Sequence, residues 1–312
     1  MQQKAGQGVV DTVAPAHGEA GRGFLFALAA YIMWGFLPLY MKAVDHIAPV
    51  EVVAYRVLWS LPVAALVLLA LGRLDDIKAA FRQPRTLLMA AMTAAIISVN
   101  WGVYVWAISV GRTVETAMGY YINPLVTVLL GAVLLGERLN RYQQVSIGLM
   151  VIAVVLLTVQ AGGLPWVSLV LALTFAAYGY LRKTLPVGPS QGLLLEVLIL
   201  AGPCLAYLLW LGYNGQGTML TGGIYDFGML ALAGPITAVP LILYASGAKL
   251  LRISTIGIMQ YIGPTMIMLI AVLVFGEPFG TDRMLAFALI WAALALYTWS
   301  IFYAREKPTD DQ

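Results

Sequence analysis

Between Gly23 and Tyr303 the chain is a succession of apolar runs, each about 18 to 22 residues long, separated by connections of at most about 16 residues. Such a run spans a bilayer core about 30 Å thick as a helix, and no water-soluble fold has so much apolar surface to hide. Barrel strands would alternate instead of running apolar throughout. With 61% hydrophobic and only 11% charged residues, the composition agrees. The predicted class is therefore an all-α membrane protein with ten transmembrane helices, at about 24–42, 51–71, 86–107, 113–134, 142–160, 165–183, 191–211, 228–247, 254–275 and 283–303. Residues 1–22 and 304–312 read as polar tails, the first disordered and without a cleavable signal. No connection holds a soluble domain, so function has to lie within the bundle.

Orientation follows from the Lys and Arg residues of the connections, which stay on the cytoplasmic side. One side holds Lys4, Arg22, Arg73, Lys78, Arg82, Arg85, Arg138, Arg141, Arg182, Lys183, Lys249, Arg252, Arg305 and Lys307; the other holds only Lys42, Arg112 and Arg283. Both termini are then expected in the cytoplasm, in the cytoplasmic (inner) membrane of a bacterial-type cell, and an even number of spans is required.

A shift of 140 residues superimposes Tyr121, Ile122, Pro124, Leu129, Gly136 and Glu137 on Tyr261, Ile262, Pro264, Leu269, Gly276 and Glu277 without a gap. The same shift pairs Tyr104 with Tyr244 and Arg112 with Arg252. Apolar sequences match by chance, but a shared Pro and Gly-Glu pair at one offset do not follow from composition. The offset contains five spans, an odd number, so the halves 23–160 and 161–303 are expected to form two inverted five-helix repeats. Inverted halves that swap roles are the signature of alternating-access transporters, with a site near the midplane.

Four segments carry a family resemblance: AYIMWGFLPLYMK (30–42), NWGVYVWAISVGR (100–112), GYYINPLVTVLLGAVLLGERL (119–139) and YIGPTMIMLIAVLVFGEP (261–278). They resemble the RarD-type proteins of the EamA family, in the drug/metabolite transporter superfamily, over about Gly23 to Tyr303. The resemblance implies ten helices in two repeats, a central cavity lined mainly by the first four helices of each half, and export or exchange of small organic solutes. RarD proteins are associated by name with chloramphenicol sensitivity; the family's substrates also include amino acids and related metabolites.

Ionisable groups inside spans are the first site candidates, because burying one without a partner is costly. Arg56 and Glu196, equivalent under the 140 shift, are the two. Arg56 offers a fork of donors to a substrate carboxylate or other acceptor; a pair with Glu115, or snorkelling, is the plain structural alternative. Glu196 is the candidate proton-coupling acid, and a pair with Arg182, Lys183 or Lys249 the alternative. Thr116, Tyr120, Asn123 and Thr127 follow helical spacing on one face of the fourth span, expected to line a cavity or a helix contact, with interhelical hydrogen bonds the plain alternative, whereas Ile256, Gln260, Gly263 and Ile267 make a smoother wall in the ninth. Candidate binding residues are therefore Trp34, Arg56, Asn100, Trp101, Tyr104, Tyr120, Asn123, Tyr178, Tyr244 and Gln260. Aromatic walls with a few donors suit an organic, partly apolar solute, although many such rings only pack or form interfacial belts. Pro124 and Pro264 near mid-span are candidate hinges, each freeing a backbone acceptor. Glu137 and Glu277 read as helix N-terminal caps.

Other classes find less support. No phosphate-binding GxxxxGK[ST] loop is present for an ATP-driven engine. Cys204 is the single cysteine and His17 and His46 fall outside the spans, so neither metal nor other cofactor is expected; nor does any basic patch suggest nucleic acid. The expected partners are a small organic solute, the lipid bilayer and protons as a coupling ion. The expected function is a secondary transporter, not an enzyme. Its rivals are a flippase for a lipid or lipid-linked intermediate, which would want a lateral opening, and a non-transporting scaffold, which would need no polar stripe. The sequence does not select the substrate, the coupling ion or the oligomeric state.

Overall fold

A computed structural model describes residues 17–110, 112–160, 162, 166–276 and 281–303. Those residues form helices and connections and no strand. The helices are α1 (His17–Gly35), α2 (Leu37–Ala43), α3 (Pro49–Ala70), α4 (Leu74–Phe81), α5 (Pro84–Ser109), α6 (Thr113–Leu134), α7 (Arg141–Gln160), α8 (Trp166–Thr184), α9 (Pro189–Tyr213), α10 (Thr218–Thr221), α11 (Ile224–Leu250), α12 (Ile253–Met259), α13 (Ile262–Leu273) and α14 (Thr281–Tyr303). Helix α1 starts at His17, so residues 17–22, read from sequence as tail, are helical.

Among the described residues, seven stretches are both long and apolar enough to cross a membrane: 18–43, 49–70, 84–107, 141–160, 189–213, 224–250 and 253–270. Shorter apolar stretches run through 119–134 and 284–300. Helices α6, α8 and α14 thus fall outside the seven although each was expected to span. For α8 the reason is its end, Arg182 and Lys183; in α6 and α14 the described apolar stretches are 119–134 and 284–300. Polar groups of α6 and α8 face protein where burial is described: Thr116, Asn123, Thr127, Ser168 and Arg182 are all buried.

The helices pack by way of small residues. Gly23 and Gly247 let α1 and α11 touch, since a Cβ on Gly247 would come within 3.0 Å of the Gly23 carbonyl oxygen. Gly257 does the same for α12 and α6, where a Cβ would lie 2.9 Å from the Pro124 carbonyl oxygen. Close approach at small residues is how helices gain packing energy in lipid, which gives no hydrophobic drive to associate. The neighbours are α1 with α11 and α13, α3 with α9 and α11, α5 with α8 and α9, α6 with α8 and α12, and α7 with α14. Leu25, Leu66, Val133, Val159, Leu209 and Leu273 are among the large apolar side chains left exposed, as an envelope of lipid requires.

The two mid-span prolines behave differently. Helix α6 runs unbroken through Pro124, whereas the equivalent segment is interrupted at Gln260 and Tyr261, between α12 and α13. Pro264 cannot donate to the Gln260 carbonyl, and the Gly263 N–H donates to it instead at 3.2 Å. The acceptor expected to be free at Gln260 is therefore satisfied. A second interruption, at Phe36 before Pro38, separates α1 from α2.

Candidate functional site

Between α1, α3, α5, α6, α8, α11 and the α12–α13 break lies a cavity of about 160 Å³. For scale, an apolar cavity of about 150 Å³ accommodates benzene. Of the residues singled out in the sequence, Trp34, Arg56, Asn100, Trp101, Tyr104, Tyr120, Asn123 and Gln260 line it, as does Pro264. Helix α6 contributes Thr116, Gly119, Tyr120 and Asn123, successive positions on one face. Opposite them Gly263, Pro264 and Ile267 of α13 supply a wall with few polar atoms. Tyr120 is 46% exposed, and the space it faces is this cavity.

Arg56 is half-buried in the wall. Its Nε donates to Thr237 Oγ1 of α11 at 2.8 Å, and its guanidinium lies 5.3 Å from the centre of the Trp101 ring. No described acid pairs with it; the side chain of Glu115, a partner considered from sequence, lies outside the described residues. The Tyr104 and Tyr120 rings meet edge to face at 6.3 Å beside it. Asn100 Nδ2 donates to the Leu171 carbonyl at 3.0 Å and to Thr174 Oγ1 at 2.8 Å, tying α5 to α8. The Thr127 hydroxyl lies 3.4 Å from both Asn123 Oδ1 and Gln260 Oε1, joining α6 to the α12–α13 break. Gln260 Nε2 is buried without a well-aligned hydrogen bond, near the Tyr31 and Tyr244 hydroxyls.

Tyr178 and Tyr244 do not line the cavity; they stand behind its wall. Both are fully buried, and they support Phe175, whose ring centre lies 6.0 Å from Tyr178 and 5.9 Å from Tyr244. Phe175 itself lines the cavity with Tyr31, an aromatic of the first span noted in the sequence, and with Leu37, Met41, Ile97 and Leu241, which like Phe175 the sequence did not single out. Apolar and aromatic residues occur on every span, so only a chance alignment with the polar stripe could have flagged them.

Glu196 is also away from the cavity. Its Oε1 accepts from Arg182 Nη1 at 3.1 Å and its Oε2 from the Tyr178 hydroxyl at 3.1 Å, while Arg182 Nη2 donates to the Pro189 carbonyl at 2.9 Å. With side chains only 1% and 3% exposed, Arg182 and Glu196 form a closed buried pair. This is the structural alternative weighed for Glu196, with Arg182 as the partner.

The end of the bundle that carries Arg138, Arg182, Lys183, Lys249 and Arg252 is tied across by lysines. Lys183 Nζ donates to the carbonyls of Ala248 and Leu251, and Lys249 Nζ to that of Leu185 at 2.7 Å. Glu137 receives the Ile253 and Ser254 N–H groups at 2.7 and 2.9 Å, capping α12. Its repeat equivalent Glu277 lies outside the described residues. At the opposite end Lys42 bridges to Asp45 at 2.9 Å, both exposed, and holds that carboxyl below the usual carboxylate range.

Residues 21–159 match the EamA-like transporter family. Protein RarD of Streptomyces exfoliatus is 42% identical over 284 residues, covering 91% of this chain and 90% of that protein. The chain belongs to the EamA-like transporter family. This EamA protein is also 38% identical to the uncharacterized transporter YojE of Bacillus subtilis, over 91% of this chain and 96% of the relative. Protein RarD of Escherichia coli is 35% identical over 93% and 98%. A solved crystal structure superposes on this EamA chain with a TM-score of 0.69 at 20% identity, covering 92% and 98%, a likeness of fold alone. The relatives make this a RarD-type, multi-pass membrane transporter with bacterial relatives.

Proposed function

We propose that this EamA protein is a secondary transporter that exports or exchanges a small organic solute, amino-acid-like or drug-like, by alternating access. Its ten spans form two inverted five-helix repeats, 23–160 and 161–303, with both termini in the cytoplasm. One observation carries the reading: a solute-sized cavity, lined by Trp34, Arg56, Trp101, Tyr104, Tyr120, Asn123 and Gln260, lies within a bundle whose cation-rich end is tied across by hydrogen bonds.

The helix neighbours support the repeat. Under the 140 shift α3 corresponds to α9, α5 to α11 and α6 to α12–α13, and α1 aligns with α8. The contacts α3–α11 and α1–α11 then map onto α9–α5 and α8–α5, while α3–α9, α6–α12 and α7–α14 map onto themselves. Gly136 and Gly276, at equivalent places, both take positive φ, +62° and +69°, the left-handed turn that closes α6 and follows α13. By the charge rule the tied end is cytoplasmic, so this conformation faces outward.

The test is flux in proteoliposomes reconstituted with the full chain, with and without a pH gradient, using Gly263→Phe as a plug. Gly263 lines the cavity and has open space where its Cβ would be. Transport by the parent and none by the folded plug variant is expected. Equal flux through both would remove the cavity from the path.

A further inference from the structure

Among the described residues, the cavity lining holds one arginine and no acid, lysine or histidine. Arg56 lines the cavity, spends one of its five N–H donors on Thr237 Oγ1 and has no described ion pair, which leaves four donors without a described hydrogen bond. The same fold neutralises an arginine when its role is structural: Arg182 has Glu196, the Tyr178 hydroxyl beside that acid, and the Pro189 carbonyl. A guanidinium left without a counter-ion in a membrane interior is costly unless function requires it.

A second donor points the same way. Gln260 is 5% exposed and lines the cavity, and its Nε2 makes no well-aligned hydrogen bond, although the Tyr31 and Tyr244 hydroxyls lie close to the side chain. The amide acceptors are less available, since Asn123 Oδ1 and Gln260 Oε1 both face the Thr127 hydroxyl. The face of Trp101, where an ammonium would find a cation–π site, is already taken by Arg56. Unused donors and a net positive charge are what a carboxylate requires, and a cation or a zwitterion's ammonium finds no carboxylate among the described lining residues.

From this we infer that the cavity selects organic anions, a carboxylate joined to an aryl or compact apolar body, over zwitterions, cations and neutral analogues. Arg56 and Gln260 Nε2 hold the carboxylate, and Trp34 and Phe175 receive the apolar body. The inference rests on the transport-site reading given above and names its substrate class.

Binding to the purified full chain at pH 7, followed by thermal stabilisation, tests it with four probes of one size: 3-phenylpropionate, phenylalanine, 2-phenylethylamine and 3-phenylpropanol. Only 3-phenylpropionate should stabilise the parent. Arg56→Gln should weaken that binding about ten- to a hundred-fold, the scale of a charge-assisted bond, with Arg56→Lys intermediate. Phenylalanine or the amine binding as well as the anion, or 3-phenylpropionate indifferent to a folded Arg56→Gln or Arg56→Lys, would overturn the anion class while leaving the cavity as the site. Anion binding that survives the Gly263→Phe plug, or no response of the parent to any probe, would overturn the cavity reading and this inference with it.

Discussion

Arg56 and Glu196 are equivalent by the repeat, yet one faces a cavity and the other is locked to a cation. Glu196 shows how strongly a partner decides a role: a proton reaching it has to displace both Arg182 and Tyr178. Removing one member of a buried pair leaves the other charge uncompensated, a cost of about 3–5 kcal/mol. Glu196→Gln is therefore expected to lower the unfolding temperature in detergent markedly. Replacing both members by apolar residues of similar size, Arg182→Met with Glu196→Leu, should recover most of the loss. A Glu196→Gln protein as stable as its parent, but with flux no longer driven by a pH gradient, would instead establish Glu196 as the coupling acid. The sequence exposed Arg56, Asn123 and Gln260 because a polar group in a span needs a reason to be there. It concealed Thr237, the hydrogen-bond partner of Arg56, because a threonine satisfies itself in any helix. It also could not separate Tyr104, in the wall, from Tyr178 and Tyr244 behind it: helical spacing fixes a face, not the distance from a cavity.

At the scale of elements, the positions of the apolar runs were legible and their continuity was not. One motif, Tyr-Ile-x-Pro, stands in a continuous α6 and at the break between α12 and α13. The neighbours differ in a way that bears on this: Asn123 precedes Pro124, whereas Gly263 precedes Pro264 and turns its N–H to the Gln260 carbonyl. Pro264→Ala restores a donor where the chain is interrupted and should shift the balance between outward- and inward-open forms. Pro124→Ala acts within a helix that is already continuous and should shift it less. Distances between spin labels at the two ends of the bundle would measure both, and equal, unshifted distributions in two transporting variants would end the hinge role. Gly257→Ala probes the tied end directly. Its Cβ would meet backbone, the Pro124 carbonyl oxygen at 2.9 Å, so α12 has to move off α6. In a Cys204→Ala background, a cysteine at the fully buried Val128 should then react with a thiol reagent faster than in the parent. An unchanged rate would mean that α6 and α12 separate without effect on access to that end.

For the whole molecule, orientation comes first. Single cysteines at the exposed positions Asp45 and Gly215 should label from outside, and those at the exposed Arg82 and Thr184 only from inside. Ser190 is a poor reporter, being 5% exposed whichever side it faces. The repeat then dictates what the other conformation looks like. If the halves exchange roles, the inward cavity is lined by the 140-shifted partners of the present lining, so Tyr244 takes the place of Tyr104 and Gln260 that of Tyr120. Tyr244 is fully buried now, with a hydroxyl that approaches Gln260 without a well-aligned hydrogen bond, a position suited to a wall that opens in turn. Ala248 lies on the same face of α11 as the cavity-lining Leu241, two turns nearer the tied end, about 10 Å at 1.5 Å per residue. It is fully buried here, and its carbonyl accepts from Lys183. Ala248→Cys, a small change, should react slowly from the cytoplasmic side at rest and faster while solute is being carried, because each cycle must break the Lys183 contact and admit water to that face. Tyr104→Cys should show the opposite trend from outside. A protein that transports at the parental rate while Ala248→Cys stays unreactive throughout would mean that the cytoplasmic exit follows another route, and that the two halves do not trade places about this cavity.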